Sequence, residues 1–295
     1  MAVAGHKAAG RARATAEDHR LATDLATRAG TLLVALRRQH RFEDAAGQLA
    51  RPGGRHPEDG GGAAGLAADA LRAEGDRLAH DYLAGALAEA RPGDALLSEE
   101  APDDLRRLHA ERVWIVDPLD GTRQYGEAGR SDWAVHVALV IGGVPTVGAV
   151  ALPAEGVTLC TADPPPLPPA TASGRGVRRR RVITSRSRPG ADARAVAAAL
   201  DAELVTLGSV GVKVAQVIRG AADAYVHSGG QSEWDSAAPV AVALACGLHA
   251  SRLDGRPLRY NRPDVELPDL LICRHEIAAA ALAAAHLGTP PSGPS

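Results

Sequence analysis

Leucines recur at helical spacing early in the chain, at Leu21, Leu25, Leu32 and Leu36, behind the capping pair Thr15 and Asp18. This predicts an amphipathic helix over about 16–39. A second helical period, carried by Leu71, Leu78 and Leu87, spans about 66–90 and stops at Arg91-Pro92-Gly93. Gly75-Asp76 is a weak point inside it, since a mid-helix glycine costs about 1 kcal/mol relative to alanine. Between the helices, Asp44 to Gly65 is glycine-rich with Pro52 and Pro57, which is loop chemistry. The period then shortens to that of strands. Ala95 to Leu97 is a short one, and Val113, Trp114, Ile115 and Val116 read as a buried one. Asp117 ends that strand, and Pro118 has no N–H with which to continue a ladder. Trp133, Val135, Val137 and Leu139 alternate with Ala134, His136 and Ala138. Gly142-Gly143 then turns the chain into Val144, Val147 and Val150, giving an antiparallel hairpin. His136 fits a hydrogen-bonded structural histidine better than a catalytic one.

From Asp163 to Gly176 the chain is a stiff Pro-rich connector, and the domain boundary is placed there. Beyond it, helices and strands alternate: 181–184, 191–200, 204–207, 212–219, 222–226, then a helix over about 235–246, a strand at 270–273 and a helix at 276–286. The fold class is mixed α/β, or α+β. An N-terminal unit spans 15–162 and a C-terminal unit 177–287, with 1–14 and 288–295 as disordered tails.

Composition narrows the function classes. The chain has 295 residues, with 33 Lys and Arg against 35 Asp and Glu, a balance of −2. Nothing in that balance points to nucleic acid, and the basic run Arg178 to Arg181 reads as a solvated strand edge. Cys160, Cys246 and Cys273 lack C-x-x-C spacing and fit buried thiols in a reducing compartment. No apolar run is long enough to span a bilayer, and the N-terminus lacks a signal core, so the expected location is the cytoplasm.

The chemistry gathers at Asp117-Pro118-Leu119-Asp120-Gly121-Thr122. Two carboxylates on a tight turn leaving a buried strand suit Mg²⁺, which takes a few carboxylates plus substrate phosphate. Gly121 and Thr122 offer N–H groups and a hydroxyl to an anion. The alternative is an Asx-type turn that only stops a strand. Glu99 precedes the turn by one strand, and Asp235 lies in W-D-S-A-A-P, where it reads as a helix N-cap with Pro239 in the first turn. Were the four carboxylates to meet, each pair at about 4 Å would cost roughly 1 to 4 kcal/mol, which bound cations would relieve.

The stretches S-E-E, D-P-L-D-G-T and W-D-S-A-A-P together resemble the signatures of the inositol monophosphatase superfamily of Mg²⁺-dependent, lithium-sensitive phosphomonoesterases. The likeness covers about 16–287. Within the superfamily, L-L-S-E-E-A-P-D-D, G-R-S-D-W-A-V-H-V-A-L and S-R-L-D-G-R-P-L-R-Y-N resemble actinobacterial CysQ-type 3′(2′),5′-bisphosphate nucleotidases. The resemblance implies an αβαβα layered sandwich of the inositol monophosphatase and fructose-1,6-bisphosphatase type. Glu99, Asp117 and the Leu119 carbonyl would bind a first Mg²⁺, and Asp117, Asp120 and Asp235 a second. Asp76 would serve a third, although A-E-G-D departs from the family's T-x-x-D. Thr122 with Glu99 would orient the attacking water, and the N–H groups of Gly121 and Thr122 would hold the phosphate. Leu119, Asp120 and Asp235 would also border the substrate.

The implied reaction removes the 3′-phosphate of adenosine 3′,5′-bisphosphate, and of 3′-phosphoadenylyl sulfate, in sulfate assimilation. Inositol phosphate and fructose bisphosphate are the alternative substrates, and a nucleotide- or metal-sensing module without turnover is the remote one. Inositol monophosphatases carry a glutamate where this chain has His227 and Ser228, which argues against inositol phosphate. Lys213, Arg259 and Tyr260 are candidates for a second phosphate or a purine. An aspartyl-nucleophile phosphatase would read D-x-D rather than D-x-x-D. The resemblance leaves room for a homodimer.

Overall fold

The computed structural model describes residues 12–40, 63–169, 178–186 and 189–288. Most of the glycine-rich segment 44–65, part of the 163–176 connector and most of both tails lie outside the described residues. Residues 12–14, read as leader, are tied down: the Ala12 N–H donates to Glu111 Oε1 at 2.8 Å.

The elements in chain order are α1 (Ala16–Gln39), α2 (Ala63–Ala90), β1 (Ala95–Ser98), β2 (Arg112–Asp120), α3 (Thr122–Tyr125), β3 (Ala134–Ile141), β4 (Val144–Leu152) and β5 (Val157–Cys160). There follow β6 (Arg181–Ser185), α4 (Ala191–Ala199), β7 (Glu203–Leu207), α5 (Val210–Ile218), β8 (Ala224–Ser232), α6 (Glu233–Ala245), β9 (His249–Ser251), β10 (Glu266–Cys273) and α7 (His275–Gly288). One sheet has the order β1-β2-β3-β4-β5 and the other β7-β6-β8-β10-β9. β1 and β2 run parallel, and the rest of the first sheet is antiparallel.

Five layers result because both sheets are apolar on both faces. Val135, Val137 and Leu139 of β3 pack with Leu25, Leu33 and Leu83 of α1 and α2. Ala134, Ala138 and Val140 of the same strand join Val214 of α5, Val240 of α6 and Leu270 of β10. The outer face of the second sheet packs on α4 and α7 through Val226, Leu271, Val196 and Ala281. The alternation in β3 therefore separates two buried faces rather than an inside from an outside. The layers are α1 and α2, the first sheet, α5 and α6, the second sheet, then α4 and α7. Each sheet lies on one side of the connector, but their inner faces share one core. Among the described residues, no helix is long and apolar enough to cross a membrane.

Four readings are corrected here. β2 does not stop at Asp117; it runs to Asp120, with Asp117 opposite His136 and Asp120 opposite Ala134 across a register shift. Pro118 sits in that irregularity, where no ladder donor is required. β8 continues past Val226 to Ser232, and β10 begins at Glu266, four residues before Leu270. The cap of α6 is Ser232, not Asp235, which is the third helical residue and reaches back to accept the Ser232 N–H at 2.6 Å. Pro239 consequently falls beyond the first turn and leaves the Asp235 carbonyl without its helical donor.

Gly75 is a requirement of packing. A Cβ there would lie 2.8 Å from Tyr125 Cε1 and 3.3 Å from Leu119 Cδ2. The Tyr125 ring cannot retreat, being fully buried with its hydroxyl donating to the Leu33 carbonyl at 2.8 Å. Gly75→Ala, which gains about 1 kcal/mol of helix propensity, is expected to destabilise the protein by about 1–2 kcal/mol net because overpacking dominates. Urea unfolding measures this, and an increase in stability would show that α2 and α3 can part.

Candidate active site

The turn after β2 is built from the backbone outward. Asp117 is 1% exposed, and its Oδ1 accepts the Leu119 N–H at 3.0 Å. The Asx-type contact is thus present, and Oδ2 remains for other work. Gly121 has φ +90°, and a Cβ there would meet the Asp132 carbonyl at 3.0 Å, so both conformation and space demand glycine. α3 starts at the next residue. Thr122 Oγ1 lies 3.0 Å from the Leu119 carbonyl and 3.3 Å from Asp76 Oδ1 on α2. Thr122 thus ties the turn to α2 through Asp76.

Asp120 is held from the other half of the chain. Its Oδ2 accepts the Ser209 hydroxyl at 2.5 Å and the Gly211 N–H at 2.8 Å, both at the start of α5. His136 Nε2 approaches the same oxygen to 3.2 Å. Asp235 arrives on the first turn of α6, with Oδ2 on the Ser232 N–H. Asp117, Asp120 and Asp235 each offer an oxygen, and these lie within 4.8 Å of one another. The Glu99 carboxyl is hydrogen-bonded to that of Asp117.

The electrostatics record the crowding. Desolvation and the Asp235 charge push Glu99 up to about 7. Desolvation and the Asp120 charge push Asp235 up to about 6. Burial and the neighbouring Glu99 carry Asp117 well above the usual carboxylate range. Burial would raise Asp120 too, but His136, Ser209 and Gly211 together hold it below its ordinary value. Desolvation and Glu100 raise Asp76 to about 7. His136 is fully buried, with Nδ1 3.3 Å from the Trp234 carbonyl, so the structural hydrogen bond expected of it is there. It also stands against two of the carboxylates, with Nδ1 3.8 Å from Asp117 Oδ2.

Hard oxygen donors, converging and largely withdrawn from water, fit a divalent cation such as Mg²⁺. The cluster opens into a cleft of about 450 Å³ bordered by Asp120, Gly121, Ser209, Lys213 and Asp235. Lys213 is 3% exposed, and its Nζ donates to the Gly208 carbonyl at 2.6 Å above the Tyr225 ring. Desolvation lowers its pKa to about 8, against the pull of Asp120 and Asp235. Arg259 and Tyr260 do not border the cleft: Tyr260 is buried against Ser236 at 3.1 Å, and Arg259 is exposed.

Sequence reasoning missed Ser209, Arg186 and Gln231, all of which line the cleft. Only Ser209 left a local signal, as a hydroxyl capping α5 by accepting the Val212 N–H at 3.1 Å. The other two sit at or beyond strand ends and carry no periodicity.

Comparison with known proteins agrees with this geometry. The chain is 46% identical over 270 residues to the 3′-phosphoadenosine 5′-phosphate phosphatase of Mycobacterium leprae, covering 88% of this chain and 90% of that one. It is 51% identical over 215 residues to the protein of the same name from Mycobacterium tuberculosis, covering 71% of this chain and 80% of that one. The crystal structure of CysQ from Bacteroides thetaiotaomicron, a bacterial member of the inositol monophosphatase family, has the same fold. It superposes with a TM-score of 0.68 at 24% identity, over 88% of this chain and 97% of that one. The pattern of the inositol monophosphatase family matches residues 19–287. The chain belongs to the inositol monophosphatase family, and it is a phosphatase.

Proposed function

We propose that this protein hydrolyses the 3′-phosphate of adenosine 3′,5′-bisphosphate, and of 3′-phosphoadenylyl sulfate, in sulfate assimilation. The observation that carries this reading is the convergence of Asp117, Asp120 and Asp235 within 4.8 Å at the edge of a cleft. The names of the mycobacterial relatives supply the nucleotide. Glu99, Asp117, Asp120 and Asp235 would hold two Mg²⁺, with Leu119 contributing its carbonyl and Asp76 serving a third. Bound Mg²⁺ supplies charge neutralisation at the phosphoryl oxygens and makes water at the site more acidic.

The chain's own groups then orient the reactants. Thr122 Oγ1 has one proton to give, to the Leu119 carbonyl or to Asp76. Its lone pairs stay free to accept a hydrogen bond from the attacking water. Glu99, whose carboxyl lies in the same cluster, would orient that water together with Thr122. The N–H groups of Gly121 and Thr122 would hold the phosphate as the water oxygen bonds to phosphorus and the bond to the ribose 3′ oxygen breaks, that oxygen leaving as the 3′-hydroxyl with a proton that balances the one the water loses. Lys213 adds a positive charge on the wall of the cleft.

Comparing kcat/KM for adenosine 3′,5′-bisphosphate, fructose 1,6-bisphosphate and inositol 1-phosphate tests the reading. The nucleotide is expected to lead by at least about tenfold, the scale of a few well-placed polar contacts. A lead for inositol phosphate would overturn it.

A further inference from the structure

Away from the carboxylates, the cleft holds two buried donors whose partners are not protein. Arg186 follows directly on β6, and its Nη1 is buried with no hydrogen-bond partner among the described residues. Gln231, on β8, is 7% exposed. Its Oε1 accepts the Tyr225 hydroxyl at 3.3 Å, while its Nε2 has no partner among the described residues. Both side chains line the cleft that Asp120 and Asp235 border. They leave neighbouring strands, since β6 pairs with β8 through Val182 with Ala224 and Ile183 with Tyr225.

Most buried polar groups are satisfied, so two orphans in one cavity call for an explanation. Both are donors and one has a permanent charge, so the partner that suits them is an anion. Lys213 Nζ already has a protein partner in the Gly208 carbonyl, so its burial alone calls for no further one. Arginine also offers a planar fork suited to phosphate oxygens, which an ammonium lacks.

We propose that Arg186 Nη1 and Gln231 Nε2 form a second anion subsite that binds the substrate's remote 5′ phosphate or phosphosulfate and selects bisphosphate nucleotides over monophosphates. The proposal rests on the phosphatase reading above and adds the residues that set its specificity.

The test is the ratio of kcat/KM for adenosine 3′,5′-bisphosphate to that for 3′-AMP, which lacks the second phosphate. Arg186→Gln is expected to lower this ratio by about ten- to a hundredfold, the scale of a hydrogen bond to a charged group. Arg186→Lys and Gln231→Leu should lower it by less, and they carry the test if Arg186→Gln does not fold. The product 5′-AMP should bind more weakly to each variant than to the wild type. An unchanged ratio in all three variants, with the wild type active on the bisphosphate, would overturn the subsite alone. A wild type inactive on both nucleotides would overturn the proposed function and the subsite with it.

Discussion

Asp120→Asn is expected to lower turnover by roughly three orders of magnitude with the fold retained, the scale for deleting a preorganised electrostatic group. The change is nearly isosteric, so packing should survive. The loss comes from the hydrogen bonds that orient the carboxylate. Oδ2 accepts from the Ser209 hydroxyl and the Gly211 N–H at once. An amide nitrogen in that place would face the Gly211 donor with another donor, so the asparagine should turn its oxygen there. Its NH₂ then replaces the other carboxylate oxygen, and the neutral amide leaves the cluster one negative charge short for a cation. Either orientation forfeits something the carboxylate supplies. Near-normal turnover with an unchanged metal requirement would show that Asp120 only shapes the turn.

Chelation is expected to abolish activity, and excess Mg²⁺ to restore it. The same treatment should change how stability responds to pH. Glu99 and Asp76 titrate near 7 and Asp235 near 6, and Asp117 is raised well above its usual value. In the unfolded chain such groups titrate at about 3.9 to 4.3. Their folded-state values are therefore raised, so their favourable contribution is full below about pH 4 and is lost as pH rises through about 6–7. In chelator, the melting temperature should fall between about pH 5 and pH 8. Mg²⁺ binds the ionised carboxylates, so its stabilising effect should grow across the same window, reaching about 2.7 kcal/mol at a hundredfold excess over Kd. Thermal melts at the two pH values, with chelator and with Mg²⁺, decide it. Activity that survives exhaustive chelation, or a melting temperature indifferent to Mg²⁺ at pH 8, would remove the metal from this site.

Much of the scaffold was legible in one dimension because its signals are local. The leucine period and the Thr15–Asp18 box mark α1 to the residue, and Gly142-Gly143 marks the β3–β4 hairpin. The D-P-L-D-G-T string pointed to the candidate site, since a carboxylate, a backbone irregularity and a glycine at φ +90° follow one another there within a few residues. Where the local signal misled, tertiary packing had overridden it. Gly75 looked like a helix defect until the Tyr125 ring stood above it. Pro118 looked like a strand terminus, yet the strand resumes beyond it by shifting register.

What the sequence by itself determined was most of the elements, though not α3, β5 or β9, and the candidate carboxylates, both properties of short stretches. Only the tertiary structure decided which donors fix each carboxylate and what faces it across the cleft. Ser209 reaches Asp120 across 89 positions, Thr122 meets Asp76 across 46, and Arg186 shares a cavity with Asp120 and Ser209. No periodicity encodes such pairings. They exist because two sheets share one core, and burying that core brings the start of α5 and the first turn of α6 against the end of β2.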